Sequence, residues 1–161
     1  MIFGMSLATF ALVHALISLA DVALGVVVMA QMLRGRALGA ANAAFLFAAA
    51  LSSITGFFFP FSAIKIPHIF GIDSLVALAL AVVALYRRRL AGNWRWMFVV
   101  CATLTLYFNL YIVVVQAFRK ISFLQALAPT GSEPPLAIAQ IVVALLLAGL
   151  GVLALRRFHP R

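Results

Sequence analysis

Five apolar runs, near residues 3–31, 37–59, 67–86, 97–117 and 135–155, make up most of the chain, with short stretches holding Arg, Gly, Pro or Asn between them. A helix needs about 20 residues at ~1.5 Å each to cross a ~30 Å hydrocarbon core. Each run meets that length. The pattern therefore predicts an all-α, polytopic integral membrane protein, a five-helix transmembrane bundle forming one domain over residues 1–161. The third run is long enough only when counted from Pro67, and proline is tolerated in a first helical turn. A half-helix start is the alternative there, allowed where protein or water shields the backbone.

The first run departs from a plain membrane span. Gly4, Ala11, His14, Ser18, Asp21 and Gly25 recur at steps of three, four and seven, which places them on one face of a helix. A carboxylate and an imidazole at membrane depth are costly, so that face should meet protein or a water-filled cavity, not lipid. The fourth run carries a second polar face of Cys101, Thr105, Asn109 and Gln116, flanked by Tyr107 and Tyr111. By helical rise from each span's midpoint, His14 lies roughly 4–5 Å and Asn109 about 3 Å to one side of the bilayer centre. On the same rise Asp21 lies about 6 Å and Thr105 about 3 Å to the other. The two polar faces can meet, with His14 near Asn109. Ser52, Ser53 and Thr55 of the second run can line the same cavity.

Composition fixes the class. The 161 residues are 66% hydrophobic and only 9% charged, far from the roughly one-quarter charged residues of a soluble domain. Net charge is +9, yet the twelve Lys and Arg flank apolar runs, as topogenic residues do, so no nucleic-acid partner is expected. The first connection, the third connection and the C-terminus hold nine of them, against three in the second and fourth connections and none at the N-terminus. The positive-inside rule then puts the N-terminus outside and the C-terminus in the cytoplasm; the Ala-, Leu- and Arg-rich composition points to a bacterial cytoplasmic (inner) membrane. Tyr86, Trp94 and Trp96 flank the third connection, where an interfacial aromatic belt belongs. The first run is read as a span and not as a cleaved signal, because no Lys or Arg precedes it and it holds Asp21.

Several chemistries are disfavoured. The single Cys101 excludes an intrachain disulfide and paired-cysteine redox chemistry. Neither His-x-x-x-His nor Glu-x-x-His occurs, so no metal is assigned. His14 and His68 differ in depth by ~9 Å, a poor axial pair for haem b. No cofactor is indicated. Phosphate-cradling glycine loops and serine elbows are missing as well, and no catalytic residue is assigned.

Two sets of residues remain. His14 and Asp21 suit proton carriage, about 10.5 Å apart along the helix and bridged by water or substrate, with Thr105 and Asn109 positioning a ligand. Lys65, His68 and Asp73 in the second connection, with Arg119, Lys120 and Glu133 in the fourth, form an outer gate or headgroup site, or simply interfacial lipid anchors. Ser132 or Glu133 should cap the last helix behind its prolines. For the neutral groups, the plain alternative is hydrogen bonding between helices, or back to the helix's own carbonyls for Ser and Thr. The leading expectation is binding or proton-coupled transport of a small amphipathic or lipid-like ligand. The competing one is an accessory subunit of a larger membrane complex, its small-residue stripes docking a second copy or partner helices. A haem- or quinone-binding redox protein is a third.

Overall fold

The computed structural model describes residues 1–60 and 66–159, all in helices and their connections apart from one isolated bridge between Ile2 and Met5. Helix α1 spans Leu7–Leu33, α2 Ala40–Gly56, α3 Ile66–Val82, α4 Trp94–Lys120, α5 Ser122–Leu127 and α6 Pro134–Arg157. Helices α1, α4, α6 and the continuous stretch Ile66–Arg87 are long and apolar enough to cross a membrane. Helix α2 has 17 residues, about 25 Å of rise. The third segment is one unbroken helix with Pro67 in its first turn, and a π-helical turn, Val83–Arg87, prolongs it to the Arg87–Arg89 run.

Local chemistry sets the boundaries. Ser6 caps α1, its hydroxyl accepting from the Thr9 amide at 3.1 Å. Gly4 therefore lies outside the helix, in a tight turn where Phe3 and Gly4 both have positive φ. Gly35 ends α1 in the left-handed region, its amide on the Met32 carbonyl and the Arg36 amide on Gln31, a Schellman arrangement. A side chain there would also meet the Arg157 carbonyl, 3.0 Å from where a Cβ would stand. Pro134 and Pro135 open α6, where the missing amides cost nothing. The short α5 lies within the fourth connection, and none of its residues is buried.

The helices form a closed ring: α1 touches α2, α2 touches α3, α3 touches α4, and α4 returns to α1. Helix α6 seats against both α4 and α1. Contacts across the ends show which connections share a side. Gly35 lies beside Arg157, and the Arg95 guanidinium donates to the Leu155 and Phe158 carbonyls at 2.9 and 2.6 Å. Arg34, Arg36, Arg87, Arg88, Arg89, Arg95, Arg156 and Arg157 thus gather at one end, here called the arginine-rich end. The opposite end holds the N-terminal turn, whose Phe3 ring stacks edge-on to Phe58 at 4.8 Å.

The apolar core is lopsided. Its main cluster takes Val28, Met29 and Met32 from α1, Phe45 and Leu46 from α2, Leu78 and Ala81 from α3, and Phe98, Val99, Ala102 and Leu106 from α4. These fill the arginine-rich half. In the N-terminal half, a small separate cluster joins Phe118, Ala128 and Leu136.

Arg95 ties α4 to the Leu155 and Phe158 carbonyls at the α6 C-terminus, where a cation also meets the negative end of the helix dipole. Charge-assisted bonds of this kind are worth about 2 kcal/mol. Arg95→Ala is expected to destabilise the protein by about that much in thermal unfolding from mild detergent, with Arg95→Lys recovering part.

Candidate functional site

Asp21 is fully buried, and neither carboxylate oxygen has a hydrogen-bond partner among the described residues. It stands in the middle of α1 on the face turned to the ring. One turn further on, Gly25 lets α2 and α4 close in: a Cβ there would lie 2.7 Å from Leu106 and 2.9 Å from the Phe45 ring. Thr105, next to Leu106 on α4, is also fully buried with its hydroxyl unpartnered. Thr55, Ser18 and Thr103 each donate to a carbonyl of their own helix. Thr105 does not, so it keeps a hydroxyl for other use.

On the N-terminal side of Asp21 the seam between α1 and α2 is polar. His14 Nδ1 lies 2.8 Å from the Thr55 hydroxyl, and the Ser18 and Ser52 hydroxyls are 2.7 Å apart. Their directions follow from proton count. Thr55 donates to the Leu51 carbonyl at 2.7 Å, so it accepts from His14, which puts that histidine's proton on Nδ1 and leaves Nε2 as its acceptor. Ser18 donates to the His14 carbonyl at 2.9 Å, so it accepts from Ser52. A buried Ser53–Ser74 bond at 3.1 Å continues the hydroxyls to α3.

The structure pairs His14 with α2, and Asn109 gives its amide to the Thr105 carbonyl of its own helix at 3.0 Å. Gln140 bridges helices, donating to the Tyr111 carbonyl at 3.1 Å, while Gln116 is exposed. Phenylalanines cover the mouth of the seam: the Phe59 ring lies 5.2 Å from His14 and 5.0 Å from Phe10. Sequence reasoning missed this aromatic cover. The signal was the Phe57–Phe58–Phe59 run beside Pro60, which reads as span end until the N-terminal turn brings Phe3 onto it.

The described residues of the second and fourth connections lie apart from that seam. Lys65 falls outside the described residues. Half-buried His68 sits with its ring 6.1 Å from Phe57, and Asp73 is exposed on α3. Arg119 lines a cleft of about 80 Å³ with Phe118, Gln125 and residues 128–131, and Lys120 is exposed beside it. Glu133 begins α6 but does not cap it with its side chain; the carboxylate turns back to accept from the Thr130 and Ser132 amides at 2.8 and 3.0 Å. Among the described residues, no group of three or more His, Cys, Asp or Glu could hold a metal ion. No protein-family model, curated protein or solved structure matches the chain.

The Thr130 amide chiefly holds the Glu133 carboxyl at about 2, below its ordinary 4.5. A carboxyl depressed on folding contributes fully above its unfolded value and loses that contribution as pH falls through the folded one. Amide-exchange protection at Thr130 and Ser132 is expected to hold above about pH 4.5 and to fade towards pH 2. Glu133→Gln should lower that protection at neutral pH; unchanged protection would contradict the assignment.

Proposed function

We propose that this chain is a small membrane carrier or receptor for an amphipathic or lipid-like ligand, with Asp21 as the group that exchanges a proton, or a ligand's donor group, inside the bundle. One observation carries the reading: a fully buried carboxylate in a membrane-length helix, both oxygens unpartnered. A carboxylate kept charged without a partner at such depth costs several kcal/mol. A proton, a cation or a ligand's donor removes that cost. The Thr105 hydroxyl, buried and unpartnered at a neighbouring level of α4, supplies a second contact. The Phe3, Phe10, Phe58 and Phe59 cluster suits the apolar body of such a ligand. His14, Asn109 and the outer residues His68, Asp73, Arg119, Lys120, Glu133 and Lys65 take supporting parts in access and headgroup contact.

Five crossings belong to the same proposal. Helix α2 runs beside α1 from Gly25–Phe45 to His14–Thr55, and its flanking connections sit at opposite ends of the bundle. The eight described arginines at one end then face the cytoplasm of a bacterial inner membrane, with the N-terminus outside.

Native mass spectrometry of the mildly solubilised protein tests the reading. A retained lipid-sized adduct on the wild-type chain, falling at least about tenfold in Asp21→Asn and partly in Thr105→Val, is expected; a tenfold loss is ~1.4 kcal/mol of binding. An adduct indifferent to Asp21 would overturn the assignment. A bare chain seen only with partner subunits would replace it with the accessory-subunit reading.

A further inference from the structure

The two halves of the α1–α2 seam differ, and the difference has a direction. From Asp21 towards the N-terminal end, the seam carries the Ser18–Ser52 pair about 4.5 Å along the helix and the His14–Thr55 pair about 10.5 Å along it. Ser18, His14 and Thr55 are half-buried where Asp21 is fully buried. From Asp21 towards the arginine-rich end the same seam is Gly25, Val28, Met29 and Met32 against Phe45 and Leu46, buried and apolar. The exceptions are Asn42 and Gln31, whose amide oxygens are buried without a partner among the described residues, both beyond Gly25 and Phe45 and therefore behind the seal. Gly25 is where this half closes, with Leu106 and Phe45 so near that any side chain there would force one of them to move.

Resting on the reading of Asp21 as the exchanging group, we propose that Asp21 is reached from the N-terminal end only, along the His14–Thr55 and Ser18–Ser52 seam, and that Phe45 and Leu106 over Gly25 seal it from the arginine-rich end. The species admitted is a proton carried by water or hydronium, to which the His14 ring and the hydroxyl oxygens of the seam offer polar contacts. In the net step an O–H bond forms on the Asp21 carboxylate and an O–H bond of hydronium breaks, leaving water. Other titratable groups are few. Helix α2 has none, α3 carries His68 and Asp73 in its first half, α4 offers Cys101, Tyr107 and Tyr111 along its middle, and α6 has none before Arg156. His14 is the histidine within the α1–α2 seam itself.

Thiol accessibility tests the path. In a Cys101→Ala chain, single cysteines are placed in the seam (S18C, S52C) and beyond the seal (V28C, L46C). A membrane-impermeant cationic methanethiosulfonate is then added to one or the other face of sealed vesicles, and labelling is read by mass. Ser18→Cys and Ser52→Cys should react at least about tenfold faster from the N-terminal side, while V28C and L46C stay unlabelled from both sides. Adding Leu106→Ala to S18C should open labelling from the arginine-rich side. Where a seam variant fails to fold by gel filtration, Thr55→Cys in the same seam replaces it. Seam cysteines that are unlabelled from both sides, or that react first from the arginine-rich side, overturn the proposal, as does equal labelling of V28C. Labelling reports access and not binding. A reactive seam with an adduct indifferent to Asp21 thus keeps the path and removes the proposed function, and the reverse result removes the path alone.

Discussion

Burial of the Asp21 carboxyl is the constraint on which the rest of the bundle depends. A charge in hydrocarbon must be hidden, so α1 turns that face inward and the ring of α2, α3 and α4 closes over it. Gly25, one turn away, makes the closure tight enough to hide it, because Leu106 and Phe45 occupy the space where a side chain would stand. Close approach between helices in lipid relies on such small residues, since no solvent drives the apolar faces together. Among the described residues the carboxylate has no donor, and that unmet requirement is the strongest chemical feature they show.

The bundle divides around this residue. On the arginine-rich side it is packed as a soluble core would be, with Phe98 and Phe158 fully buried and Arg95 locking the end of α6 to the start of α4. On the N-terminal side, hydroxyls, an imidazole and a cover of phenylalanines replace the apolar cluster. An apolar, closely packed half and a polar half joined at a buried acid suit a site loaded from one side, because stability is supplied away from the working groups. Exposed apolar residues along α6, such as Ile138, Val142 and Leu145, face outward, as lipid-facing positions must.

Much of this was legible in the sequence because lipid imposes simple rules. Run length gave the helices, Pro67 gave the start of the third, and the spacing of His14, Ser18, Asp21 and Gly25 gave the inward face of α1. What stayed hidden depended on neighbours. Helical rise placed His14 and Asn109 at one depth, but depth carries no azimuth, and the structure sends His14 to Thr55 and Asn109 back to its own helix. Gly4 fitted the stripe by count, although Ser6 caps the helix before reaching it. The second run was expected over 37–59, while the helix keeps only Ala40–Gly56, beginning just after Gly39 and ending in a turn at Phe57. Glu133 carries the right residue type for a cap, yet two nearby loop amides compete for it and win. The role of Thr105 could not be read either, since a threonine that bonds its own helix and one that does not are identical in sequence.

The most direct test of the central claim is carboxyl mapping with a hydrophobic carbodiimide that partitions into the bilayer and adds to protonated acids. The folded protein in lipid would be treated, digested, and its three acidic positions compared by mass spectrometry. A stable adduct on Asp21 that Asp21→Asn removes is expected, whatever the labelling of Asp73, which is exposed on α3. An unmodified Asp21, with the reagent found on the other two or nowhere, would contradict the claim that a buried, partnerless acid lies at the centre of this protein.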